Sequence, residues 1–228
     1  MSVSAKPLLQ AKDLYCERDD RILFAGLSFA VQAGQILQIE GPNGSGKTTL
    51  IRILCGLSQD FEGSLYWQGQ PLDKVAAGFR QSCVYFGHNT GVKLALTAEE
   101  NLNWMAQIKG LSLGSSELAQ RIQAVLARVG LLGFEDVPLY TLSAGQKRRV
   151  ALASLLLEPV PLWILDEPFT AIDKKGVAEL EQLIIEQANE GRSVILTTHH
   201  ELAISPDKLQ KLTLGNAASP KKTEVADA

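Results

Sequence analysis

Between residues 8 and 68 the apolar positions come in short runs, Leu8–Leu14, Leu27–Val31, Ile36–Glu40 and Gly63–Trp67, punctuated by glycine and aspartate, a pattern that predicts strands. One helix interrupts them, Thr48–Cys55, and it stops at Gly56. From 97 to 158 the period becomes helical. Thr97 and Glu100 form a capping box ahead of Leu102, Met105 and Ile108, and Leu118, Ile122, Val125, Leu126 and Val129 share one face of a second helix before Gly130. A third helix, carrying Val150, Ala151, Leu155 and Leu156, follows Leu142–Gln146. Beyond Pro161 strands and helices alternate again: an apolar strand at Leu162–Leu165, a helix around Val177–Ala188 closed near Gly191, and a strand at Ser193–Thr198. Buried strands alternating with helices predict an α/β core, with 97–158 inserted as a helical lobe. There is no internal repeat, and Gly215–Ala228 has no periodicity, so disorder is expected there.

At about 150 residues per domain, 228 residues make one large domain or a domain with an inserted lobe. Hydrophobic residues at 46% and charged residues at 21% are globular values. Twenty-two Lys and Arg against 25 Asp and Glu leave a net charge of −3 and a pI near 5.7, with no basic stripe, which argues against a nucleic-acid partner. Cys16, Cys55 and Cys83 are odd in number and far apart, so neither a disulfide framework nor a zinc site is expected, and a reducing compartment fits. The longest apolar runs fall far short of the roughly 18–20 residues that span a bilayer, and the first ten residues lack the apolar core of a signal peptide. The expectation is a chain that does not cross a membrane by itself.

Gly41-Pro42-Asn43-Gly44-Ser45-Gly46-Lys47-Thr48 fits GxxxxGK[ST], between the strand Ile36–Glu40 and the helix from Thr48. Glycines let successive backbone N–H groups converge on phosphate oxygens, and the helix N-terminus adds partial positive charge. Lys47 would reach the β- and γ-phosphates of ATP, and the Thr48 hydroxyl would ligate Mg²⁺. The strand Leu162–Leu165 ends in Asp166 and Glu167 at the crevice side of the sheet. There Asp166 would hold magnesium through water and Glu167 would polarise the attacking water, whereas without the phosphate loop the pair would read as a solvated turn. Ser143 and Gln146 have capping-box spacing, a sufficient local role; Ser143 and Gly145 at a helix N-terminus would equally make a second anion site.

Together these motifs resemble the ATP-binding-cassette family of transporter ATPases over residues 8–214. Leu142-Ser143-Ala144-Gly145-Gln146 resembles the family signature LSGGQ with Ala144 for its first glycine, Thr170–Asp173 resembles the D-loop, and His199 resembles the switch histidine. The resemblance implies a P-loop NTPase with a RecA-like core (about 8–88 and 159–214), an antiparallel β subdomain and a helical subdomain (about 90–158), followed by the tail 215–228. It implies catalytic Lys47, Glu167 and His199, Thr49 as a further nucleotide contact, and two cassettes paired head to tail, each ATP lying between one phosphate loop and the partner's Ser143–Gly145. It also implies an integral inner-membrane permease, which would place the chain peripherally on the cytoplasmic face. Two positions depart from the family. His88, after Val84–Gly87, stands where a glutamine is usual, as a structural residue or as a hydrogen-bonding one toward magnesium-bound water. Arg18 falls where an aromatic stacks on adenine, either exposed in a charged turn or stacked as a planar cation.

Finer resemblance at Cys16–Arg21, Trp67–Leu72, Phe86–His88 and Asp166–Asp173 is to the branch of that family serving cytochrome c biogenesis as heme exporters in Gram-negative bacteria. ATP binding and hydrolysis would then be coupled to heme export or to release of heme from its chaperone at the inner membrane, with heme met only indirectly, since there is no CxxCH. The alternatives are a cassette for a lipoprotein or drug exporter, or a cassette outside transport.

Overall fold

Alternating burial along Leu9–Arg18 (β1), with Leu9, Ala11, Leu14 and Cys16 inward, marks a half-covered antiparallel strand, and β1 is the hub of the first of two sheets. The computed structural model describes residues 6–87, 91–170 and 172–215. After β1 come β2 (Arg21–Val31), β3 (Ile36–Glu40), α1 (Lys47–Leu54), β4 (Glu62–Trp67), β5 (Gln70–Pro71), α2 (Ala76–Ser82) and β6 (Cys83–Phe86). The chain continues through α3 (Ala98–Ile108), α4 (Ser115–Arg128), α5 (Ala144–Ala153), β7 (Leu162–Asp166), α6 (Lys174–Asn189), β8 (Ser193–Thr197) and β9 (Leu209–Thr213).

The first sheet is antiparallel, in the order β2-β1-β4-β5. The second is parallel, in the order β6-β7-β8-β3-β9. In β7 and β8 every residue is buried, because helices and the first sheet cover both faces of a parallel sheet. Leu162 and Ile164 of β7 face the layer that holds α1 and the antiparallel sheet. Trp163 and Leu165 face α6, packing with Leu180 and Ile184. A third apolar cluster joins α3, α4 and α5 through Leu102, Ala106, Ile122, Leu126, Val150 and Ala153. None of the described helices is long and apolar enough to cross a membrane.

Several elements differ from the sequence reading. β1 extends to Arg18 and β2 begins at Arg21 rather than Leu27, because Asp19 and Asp20 make a tight hairpin turn with φ of 52° and 57°. α2 and β9 were missed. The predicted helix Val177–Ala188 begins three residues earlier, at Lys174, where Asp173 caps it by accepting from the Gly176 amide. Residues 216–228 of the predicted tail lie outside the described residues.

Candidate functional site

The strand order reverses around β3, which lies between β8 and β9, and in open parallel sheets ligands bind beyond the carboxyl ends of strands at such a switch point. β3 leads there into Gly41–Gly46 and then α1. Gly41 has φ 146°, and a Cβ on it would meet the Leu214 carbonyl and Ser45 Oγ at 2.7 Å; Gly46 has φ 95° and faces Leu23 at 3.0 Å. A side chain would be strained at either position, so glycine leaves the loop free to wrap backbone amides around an anion. Lys47 is buried and donates from Nζ to the carbonyls of Gly41 at 2.8 Å and Pro42 at 3.2 Å, which parks its charge across the loop. Ser45 Oγ is buried and has no hydrogen-bond partner among the described residues.

Pairing of β7 with β8 brings the acidic strand end beneath this loop. Asp166 is 3% exposed, and its Oδ1 accepts from Thr197 at 2.7 Å and from Thr48 Oγ1 at 3.4 Å. Thr197 Oγ1 also accepts from the Glu167 amide at 2.9 Å. Glu167 has φ 49°, in the left-handed region, which costs a non-glycine residue about 1–3 kcal/mol and persists only where neighbours fix the backbone. Its carbonyl accepts from Arg148 Nη2 at 2.6 Å. His199 Nε2 stands 3.7 Å from Glu167 Oε1. Thus Lys47, Thr48, Asp166, Glu167 and His199, read from three separate stretches of sequence, converge on one crevice. The oxygen atoms of Thr48 and Asp166 suit a small hard cation that takes its remaining ligands from phosphate and water.

The other expected residues are placed differently. Asn43, Gly44 and Pro42 lie on the exposed side of the loop, and Thr49 is half-buried in the first turn of α1. Ser143 caps α5 with a complete box: its Oγ accepts from the Gln146 amide at 3.2 Å and its amide donates to Gln146 Oε1 at 3.0 Å. Ser143 is exposed, and no hydrogen bond among the described residues ties it or Gly145 to the phosphate loop of its own chain. Arg18 has a side chain 71% exposed, 3.9 Å from Asp19. Arg21, to which sequence reasoning gave no role, borders the phosphate loop, its Nη1 being 3.7 Å from where a Cβ on Gly44 would stand. Its one signal in the sequence was its place at the end of the Cys16–Arg21 stretch that carries the finer resemblance. His88 lies outside the described residues. In the stretch that resembles the D-loop, the Asp173 carboxyl is held below the usual carboxylate range by the Gly176 amide and then by Arg149, 3.3 Å away.

The geometry has counterparts. The family profile described as ABC transporter matches residues 24–170. The cytochrome c biogenesis ATP-binding export protein CcmA of Hahella chejuensis is 52% identical over 92% of this chain and 96% of its own. The protein of the same description from Escherichia coli K12 is 49% identical over 91% of this chain and 96% of its own. Among solved structures, CbiO1 of Clostridium perfringens, described as part of the ABC transporter complex CbiONQ, superposes with a TM-score of 0.76 at 26% identity, covering 92% of this chain and 85% of its own.

Proposed function

The chain belongs to the ABC transporter family, an ATP-binding cassette ATPase, and on that premise we propose that it is the motor subunit of a transporter for c-type cytochrome biogenesis. The observation that carries the catalytic part is the approach of Thr48 Oγ1 to Asp166 Oδ1 under the amino end of α1, with Glu167 one residue further. ATP binds with its phosphates against the amides of residues 43–49. Lys47 leaves the Gly41 and Pro42 carbonyls for the β- and γ-phosphates, exchanging neutral acceptors for charged ones. Thr48 and, through water, Asp166 would hold Mg²⁺, which neutralises charge on the β- and γ-phosphate oxygens when bound. Glu167 polarises a water for in-line attack on the γ-phosphorus: the new P–O bond forms as the bond to ADP breaks, and the water's proton passes toward the carboxylate. His199, beside Glu167, holds the γ-phosphate side of the crevice.

The partner assignments belong to the same proposal. Ser143, exposed, and Gly145, half-buried, neither hydrogen-bonded to their own phosphate loop among the described residues, cap the nucleotide of a second copy of the chain. The core (about 8–88 and 159–214) carries the nucleotide, and the helical subdomain (about 90–158) carries the signature helix α5. An integral permease of the inner membrane supplies the pathway, with the cassette peripheral on the cytoplasmic face. Support comes from the relatives named as export proteins and from CbiO1, described as part of a transporter complex. Heme is met indirectly, through the permease.

Deleting the gene tests the biological half. Loss of covalently attached heme on peroxidase-stained gels, with b-type cytochromes intact, is the expected result. Normal c-type cytochromes together with loss of another exported substrate would assign the cassette to a different exporter.

A further inference from the structure

Arg148 is 6% exposed, on the second turn of α5. Its guanidinium donates from Nη2 to the Glu167 carbonyl at 2.6 Å and from Nε to the Pro168 carbonyl at 3.1 Å. The same group lies 4.9 Å from the ring centroid of Phe86, the last residue of β6. Among the described residues no carboxylate is within ion-pair distance of it. Burial pulls its pKa down, and the Glu167 carboxylate opposes that. Two neutral carbonyls are modest compensation for a buried cation, so fastening the chain is a weak reason for a charge there. The carbonyls it binds belong to the two successive peptides that follow the α-carbon of Glu167, the one left-handed residue of the acidic strand end.

From this junction we propose that Arg148 is a positioning residue for Glu167, holding the glutamate's left-handed backbone so that its carboxylate faces the crevice. The inference rests on the catalytic role given to Glu167 above. Above the carbonyl, Arg148 fixes one side of the residue; below it, Thr197 fixes the amide at 2.9 Å. Because α5 starts at Ser143–Gly145, the same guanidinium ties the helix assigned to the partner's nucleotide to the glutamate of its own site. Nucleotide affinity, set by the phosphate loop, should not depend on it.

A double-mutant cycle on the full chain tests this, reading steady-state or single-turnover ATP hydrolysis beside the affinity of a fluorescent ATP analogue. Arg148→Ala should lower kcat roughly 10- to 100-fold, the scale set by small misplacements of a reacting group. Analogue affinity should stay within about twofold, and Arg148→Lys should recover part of kcat because one donor remains. In a Glu167→Gln background the Arg148→Ala loss should largely vanish, since there is no carboxylate left to position. An equal fold loss in both backgrounds, or affinity falling in step with kcat, would overturn the inference. Unchanged kcat in Arg148→Ala with hydrolysis abolished by Glu167→Gln would overturn it and leave the parent reading standing. Wild-type turnover by Glu167→Gln would instead remove the parent reading. Should Arg148→Ala fail to fold, Arg148→Lys and Arg148→Gln carry the same cycle.

Discussion

Thr197 and Asp166 occupy paired positions on adjacent parallel strands, and the Thr197 hydroxyl donates to Asp166 Oδ1 at 2.7 Å while accepting the Glu167 amide at 2.9 Å. One hydroxyl therefore aims the carboxylate that faces Thr48 and anchors the residue after it. Thr197→Val keeps the shape and removes both bonds, leaving a buried carboxylate short of a partner. About 1–3 kcal/mol of stability should be lost, with turnover reduced more than nucleotide affinity. Urea denaturation beside kinetics checks this, and unchanged turnover would mean that Asp166 is aimed by other contacts.

Lys47→Ala should leave the fold intact, since the lysine's partners are two loop carbonyls that can turn to water. ATP affinity should fall roughly tenfold or more, because a charge-assisted contact to phosphate is removed. Titration with a fluorescent nucleotide analogue decides it.

The exposed cap at Ser143 predicts that catalysis needs two chains. A Lys47→Ala chain mixed with a Ser143→Arg chain retains at most one intact composite site, and activity of the wild type should rise more steeply than linearly at low chain concentration. Strict proportionality, with no dimer on adding ATP, would place the whole reaction in one chain.

Asn101 is fully buried and accepts the Lys93 amide at 2.7 Å while its amide group donates to the carbonyls of Lys93, Leu96 and Thr97. It fastens the segment between the core and α3. Asn101→Leu should cost about 2–3 kcal/mol by leaving these backbone groups without partners. The urea midpoint should fall accordingly, and Asn101→Asp should recover only the bond to the Lys93 amide.

Burial pushes the Cys83 thiol up from 9.0 to about 11, and Cys55 further in the same direction. A raised acid pKa means that the unfolded chain releases these protons first as pH rises. Stability is thus fully held below about pH 9 and declines toward pH 11. Thermal or urea unfolding between pH 8 and 11 should show the slope, and Cys83→Ala should flatten it by about one proton. At neutral pH the buried Cys55 thiol should resist alkylation until the chain unfolds.

Much of this was legible in the sequence because it is local. β7 and β8 read as apolar runs, the phosphate loop announces itself by spacing, and the Thr97–Glu100 and Ser143–Gln146 boxes are closed by side chains three residues apart. What was hidden depends on distance or on weak local signal. The hairpin at Asp19–Asp20 turns without glycine, and β9, Leu-Gln-Lys-Leu-Thr, is an edge strand with polar residues at most positions. Arg148 binds carbonyls 19 and 20 residues away, and no pattern of side chains encodes a backbone acceptor.

Hydrolysis by the Glu167→Gln chain tests the central claim most directly. The purified wild-type protein should hydrolyse ATP in the presence of magnesium, and Glu167→Gln should lose roughly 100-fold or more of that rate while retaining ATP affinity and accumulating an ATP-bound dimer. Glu167→Gln turning over ATP at the wild-type rate would contradict the account.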